Sequence, residues 1–339
     1  MVLGAIALAL AGLLLGCARE RQVPYIAPTL ANWARPYKGV KGLHLHVFQV
    51  GAIRQLEGLV LRQGSMIRRR DLPIFAYVLQ HPTQGAVVIN PGLNRGLADD
   101  GERYFSGFEG LGMTADLDTG QDLPSQMRAA GIKLETVRWV FLSTLQFAHA
   151  GEAEAFPEAR VVVSRAEHAQ AREGGRGYVD REFDTIQSWK LVDPSEGQPV
   201  GTFRAALDLF GDGSCLLIDA RGPTAGHVAF LLRLPTQPVL LAGALAPVSE
   251  SVRYAAAPRF VADMDDWWDR IWRLKRFQYL EPALIVVPDH DAGPLRDSKL
   301  SEVEWHDFTP AEQPASKSRQ KNAEATAATS TPARTPSSR

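Results

Sequence analysis

Short apolar runs of four to seven residues recur along the chain, each bounded by polar or turn-forming positions. They are Phe75–Leu79, Ala86–Ile89, Val137–Ser143, Arg160–Val163, Ser214–Ile218, Val228–Leu232, Val239–Ala242 and Ala283–Val287. Runs of this length suit buried or half-buried β-strands. Helical signals lie between them. "DLPSQMRAAG" places Pro124 in a first turn, spaces Leu123 and Met127 by four, and stops at Gly131. "DMDDWWDRIWRLKRFQYLEP" carries the strongest helical pattern. Asp263 can cap it, and Pro282 ends it. Met264, Trp267, Trp268, Ile271, Leu274 and Phe277 form a stripe at three-and-four spacing, which predicts that these tryptophans pack into a core rather than form a ligand platform. Strands alternating with helices predict an α/β (α+β) layered domain.

The two ends read differently. Val2 to Gly16 is apolar and uncharged, yet shorter than the roughly 20 residues of a membrane-spanning helix. It matches the hydrophobic region of a secretory signal, and Leu14-Leu15-Gly16-Cys17 resembles a bacterial lipoprotein box. The expectation is a signal peptide over 1–17, a lipid-modified Cys17 and a tether over 18–40. The domain would span 41–308, exported and held at a membrane of the bacterial cell envelope. A weak N-terminal anchor is the alternative. Residues 309–339 contain no aliphatic or aromatic core former and are expected to be disordered.

Composition adds mainly exclusions. The 339 residues are 45% hydrophobic and 22% charged, with a net charge of −1, so nothing suggests the basic face of a nucleic-acid binder. Cys17 and Cys215 are the only cysteines; with Cys17 lipidated, no internal disulfide can form.

The chemistry turns on loops that follow the strands. "FAYVLQHPTQGAVVINPG" (75–92), "DLPSQMRAAGIKLETVRWVFLSTLQFAHAGEAEAFPEARVVVSRAEH" (122–168), "DLFGDGSCLLIDARGPTAGHVAFLLRL" (208–234), "VLLAGALA" (239–246) and "LIVVPDHD" (284–291) occur in this order. Together they resemble the metallo-β-lactamase superfamily, and within it the branch of N-acyl-homoserine lactonases. The resemblance implies an αβ/βα four-layer sandwich of two mixed sheets flanked by helices. It also implies a dinuclear metal site, where two cations about 3.5–4 Å apart generate hydroxide and polarise the group under attack.

Carried over residue by residue, the ligand pattern is largely missing. Thr144 and Gln146 stand where paired histidines are expected, and Ala148 where an aspartate is expected. Pro223 and Ala244 replace a ligand histidine and the bridging aspartate. His149 and His290 are kept, while His227 matches a histidine that is not a ligand. Asn90 replaces the aspartate of an early turn. Proline and alanine offer no donor, and threonine and glutamine offer weak neutral oxygens. No cofactor is therefore expected unless zinc is held at His149 and His290 by a third ligand such as Asp289, Asp291 or Glu152. Losing clustered aspartates and histidines also removes charges that would repel one another without metal.

Other features carry less. His44 and His46 share a strand face, and a half-exposed face is favoured over a metal pair. Ser143 lacks nucleophile-elbow glycines. Arg221 sits in a former ligand loop, either facing the pocket as an anion partner, near His227 and Asp289, or solvated. The expected function is a pseudo-hydrolase that binds a small molecule or an envelope protein. The alternatives are a lactonase- or esterase-like hydrolase with a rebuilt mononuclear site, and a purely structural envelope protein.

Overall fold

The computed structural model describes residues 27–99, 113–175 and 177–309. Cys17, the segment expected to be a signal peptide, the first part of the expected tether and almost all of the tail lie outside these residues. No helix among the described residues is long and apolar enough to cross a membrane.

The apolar runs become the centres of two sheets. The first contains β1 (His44–Leu56), β2 (Arg69–His81), β3 (Gly85–Ile89), β4 (Met113–Asp116), β5 (Val137–Phe141), β6 (Arg160–Ser164) and β7 (Trp189–Val192). β14 (Val303–His306) joins it from the far end of the chain, giving the order β14-β1-β2-β3-β5-β6-β7 with β4 on β1. The second contains β8 (Gln198–Val200), β9 (Phe203–Asp208), β10 (Cys215–Asp219), β11 (Val228–Arg233), β12 (Pro238–Gly243) and β13 (Ile285–Pro288), in the order β13-β12-β11-β10-β9-β8. Both sheets are mixed. β3, β5, β6 and β7 run parallel, as do β12 and β13, while β1–β3 and β8–β12 pair antiparallel.

Alternation along the strands builds the layers. Leu45, Val47, Leu79, Ile89 and Phe141 of the first sheet pack against Leu217, Phe230, Leu232, Leu241 and Val287 of the second. The outer face of the first sheet, with Phe48, Val88 and Val140, buries Leu123 and Met127 of α1 (Leu123–Ala129). Asp122 caps that helix by accepting from Ser125 N at 3.0 Å. Two further helices follow β5 and β6: α2 (Phe147–Ala150) and α3 (Arg165–Glu173). The outer face of the second sheet is covered by α4 (Met264–Leu280), capped by Asp263, whose Trp267, Ile271, Leu274 and Phe277 are fully buried. This is the helix–sheet–sheet–helix architecture expected from the sequence.

The structure corrects two expectations. Trp268 lies on the solvent side of α4, 39% exposed, because its neighbour Trp267 takes the core-facing position. Strands β1, β4, β7, β8, β9 and β14 also escape the apolar-run pattern. β1, for example, places polar residues such as His44, His46 and Gln49 among its apolar ones. Trp267 is further fixed by donating to Leu245 O at 3.0 Å. Trp267→Ala should cost about 3–5 kcal/mol in urea unfolding, whereas Trp268→Ala should change stability by less than about 1 kcal/mol.

Candidate functional site

The site forms where β5, β10, β12 and β13 end and their loops converge. β5 gives way at Leu142–Ser143 to a loop that Asn90 positions. Asn90 adopts φ of +49° and accepts from Ser143 N at 2.8 Å. Thr144 then turns inward, fully buried, and its hydroxyl donates to Glu167 of α3 at 2.6 Å. The same Glu167 oxygen accepts from Leu145 N at 3.0 Å and from the Tyr178 hydroxyl at 2.9 Å. The other oxygen accepts from Thr224 in the loop between β10 and β11. One fully buried side chain thus joins two ligand-type loops through four donors.

Local geometry holds Glu167 in place. Ser164 caps α3 by accepting from Glu167 N at 3.0 Å and donates its own proton to Gly226 O at 2.7 Å. A Cβ on Gly226 would lie 2.1 Å from both Glu167 N and Ser164 Oγ, so only glycine lets this loop approach the helix. The Tyr178 hydroxyl is pushed well above its ordinary pKa, first by burial and then by Glu167, so it stays a donor. Ser164-x-x-Glu167 reads in sequence as a capping box. That reading hides the role the glutamate takes, and it is the main site residue that sequence reasoning missed.

The floor carries the titratable groups. His149, on α2, is buried, and its Nε2 lies 2.9 and 3.0 Å from the two oxygens of Asp289. His290 donates from Nδ1 to Pro73 O at 3.2 Å, leaving Nε2 at 3.7 Å from Asp289. Burial works to raise the Asp289 carboxyl, but the facing imidazoles of His149 and His290 prevail and hold it below the ordinary carboxylate range. Burial lowers the pKa of His290 against the pull of Asp289. His227 donates from Nδ1 to Ala220 O at 3.1 Å; burial brings its pKa down to about 4. Its Nε2, His149 Nδ1 and Ser143 Oγ are buried without a hydrogen-bond partner.

Above this floor opens a cavity of about 460 Å³. Gln146, Ala148, Pro223 and Ala244 line it, whereas Thr144 does not. Its walls include Ile53, Leu59, Val60, Met113, Phe147 and Val261. Arg62 and Arg259 stand exposed at the cavity, and neither guanidinium forms an ion pair with another described residue. Sequence reasoning missed both, because nothing near them in the chain marks them as cavity residues.

Several sequence expectations meet this geometry directly. Asp289 joins His149 and His290. Glu152 is instead occupied by the Arg95 guanidinium, and Asp291 by Ser249 and Gly293 N. Arg221 does not face the cavity: Asp219 takes its Nε at 2.8 Å and is itself paired with Arg270 at 3.1 Å. His227 is buried beside the floor and does not line the cavity.

The donor set does not fit a dinuclear metal centre. It offers two imidazoles and one carboxylate, the carboxylate already sits against His149 Nε2, and Gln146, Ala148, Pro223 and Ala244 supply no charged donor. The donor atoms of His149, Asp289 and His290 are not all within 4.8 Å of one another. Among the described residues only one other group of His, Cys, Asp or Glu side chains meets that spacing.

The sequence profile of the metallo-beta-lactamase superfamily matches residues 69–290. The chain belongs to this superfamily. An N-acyl homoserine lactonase AttM of Rhizobium johnstonii is 28% identical over 256 residues, 74% of this chain and 93% of that protein. AttM of Agrobacterium fabrum is 26% identical over 256 residues, with the same coverage. A solved N-acyl homoserine lactone hydrolase, with the product N-hexanoyl-L-homoserine at its catalytic metal centre, superimposes with a TM-score of 0.65. That superposition covers 76% of this chain and 97% of the other at 17% identity, and it speaks for the fold alone.

Two outcomes test the geometry. Glu167→Ala leaves four donors facing an empty space and should cost at least about 3 kcal/mol, read as a fall of roughly 6 °C or more in the thermal midpoint. The neutral His227 should make folding sensitive to acid. Its folded pKa lies below its unfolded one, so the unfolded chain takes up the proton first and stability is lost as pH falls below about 6.5. Between pH 7.5 and 5.5 the native protein should lose about 1 kcal/mol more than His227→Leu, measured by urea unfolding at each pH.

Proposed function

We propose that this superfamily member is a non-catalytic relative of the lactonases, binding a small amphipathic molecule in its cavity. One observation carries the reading: an apolar-walled cavity persists over a floor whose ligand-type loops are tied by Glu167. A volume of about 460 Å³ lies in the range of small-molecule sites, roughly 300–1,000 Å³. Ile53, Leu59, Met113 and Phe147 suit an acyl chain, while Arg62 and Arg259 suit a carbonyl or carboxylate at the opening. The AttM relatives are named for N-acyl homoserine lactones, so an acylated lactone or its ring-opened acid is the ligand class proposed.

A second reading keeps catalysis. It is favoured by the convergence of Asp289 with His149 and His290, the three groups a rebuilt mononuclear site would use. It requires Asp289 to release His149 Nε2, because a nitrogen that donates its proton to a carboxylate has no lone pair for a metal.

Titration with N-hexanoyl homoserine lactone and its acid, with zinc supplied, separates the two. The binding reading expects a rise in the thermal midpoint with ligand, lost in Leu59→Glu, and no turnover. Lactone hydrolysis that disappears in both His149→Ala and His290→Ala would replace it with the hydrolase. We further propose attachment to the cell envelope through Cys17, on the strength of the Leu14–Cys17 motif. Fatty-acid labelling should then mark the native chain and not Cys17→Ser; equal labelling of both would end that proposal.

A further inference from the structure

Away from the cavity, the first and last strands bring three donor side chains together. β1 and β14 run parallel, with His46 beside Glu304 and Phe48 beside His306. Two-residue alternation places His46, Glu304 and His306 on one face of the sheet. His46 Nδ1 lies 3.0 Å from His306 Nε2 and 3.4 Å from a Glu304 oxygen. His306 Nε2 lies 3.8 Å from the other Glu304 oxygen. Ligand atoms bound at about 2.0–2.1 Å around tetrahedral zinc stand about 3.3 Å from one another. The two imidazole nitrogens already stand near that spacing, and with one ligand atom taken from each residue all three lie within 4.8 Å of one another.

We propose that His46, Glu304 and His306 form a binding site for a divalent transition metal of the zinc class. The ion would clip β14 to β1 and keep its fourth position open to solvent. Three further observations support it. The His306 ring stacks on Phe48 with centroids 4.3 Å apart and planes 8° apart, so packing fixes its orientation before any ion arrives. Both imidazoles are half-buried, so protein rather than solvent surrounds most of each ring. Glu304 is exposed and pairs with no lysine or arginine among the described residues, so its carboxylate is uncommitted. Two histidines and a carboxylate suit zinc, cobalt or nickel in preference to the hard cations calcium and magnesium. None of the three residues lines the cavity, so the site stands or falls independently of the function proposed above.

The test is titration of the chelator-treated full chain with cobalt(II), followed by displacement with zinc. One equivalent of cobalt should bind with visible absorption of a low-symmetry, four- or five-coordinate ion, and zinc should raise the thermal midpoint. His306→Ala and Glu304→Gln should each weaken binding by at least about tenfold, while His149→Ala leaves it unchanged. Glu304 is a surface residue, so its glutamine variant keeps the fold if the alanine variant does not. Binding that survives Glu304→Gln undiminished, binding lost only in His149→Ala, or no uptake at millimolar metal would each overturn the proposal.

Discussion

The Glu167 side chain is the tie on which the rest of the site depends. Its two oxygens accept from Thr144, Leu145, Tyr178 and Thr224, residues that belong to separate loops. In a metal-dependent relative, ions shared between loops can serve as the cross-link. Here a buried carboxylate does so, with hydroxyls and an amide as its partners. Such an arrangement is favourable only when every lone pair is met, because an unsatisfied buried carboxylate costs far more than the hydrogen bonds return. The shape of the loops is therefore bound to the identity of Thr144 and Thr224. A histidine at 144 would displace one of the donors that Glu167 requires.

The floor follows from that constraint. With the first loop drawn toward α3, His149 on the following turn meets Asp289, the neighbour of His290 in sequence. The carboxylate lies between the two imidazoles. Above it Ala148, Pro223 and Ala244 remove bulk and polarity, leaving space lined largely by apolar side chains. A cavity of that kind, with cations only at its opening, favours a ligand with an apolar body and a polar end.

Much of this was legible in the sequence, and the limits have physical causes. The strands that bury both faces, such as Gly85–Ile89 and Pro238–Gly243, show as uninterrupted apolar runs. Edge and half-exposed strands, such as β14 and the ends of β1, mix polar residues in and hide. The order of the loop motifs placed Thr144, Gln146, Ala148, Pro223 and Ala244 in one neighbourhood. It offered Asp289, Asp291 and Glu152 alike as a third ligand beside His149 and His290, and only Asp289 meets them. It could not reveal Glu167, whose spacing from Ser164 reads as an ordinary cap, nor that Arg221 would be taken by Asp219. Both depend on side chains brought close by the fold from distant positions. Trp268 teaches the same lesson at small scale: it lies at the edge of the apolar stripe, and the packing of Trp267 decides which tryptophan stays outside.

The central claim is that Glu167 holds both loops in one cooperative unit without a metal cross-link. Amide hydrogen exchange on metal-free protein tests it most directly, comparing the native chain with Glu167→Gln under native conditions. The account predicts that the variant accelerates exchange together in residues 144–149 and 224–228, although about 80 residues separate them, while β2 and α4 stay protected. Unchanged exchange in either loop, or loops that are already open in the metal-free native chain, would contradict it.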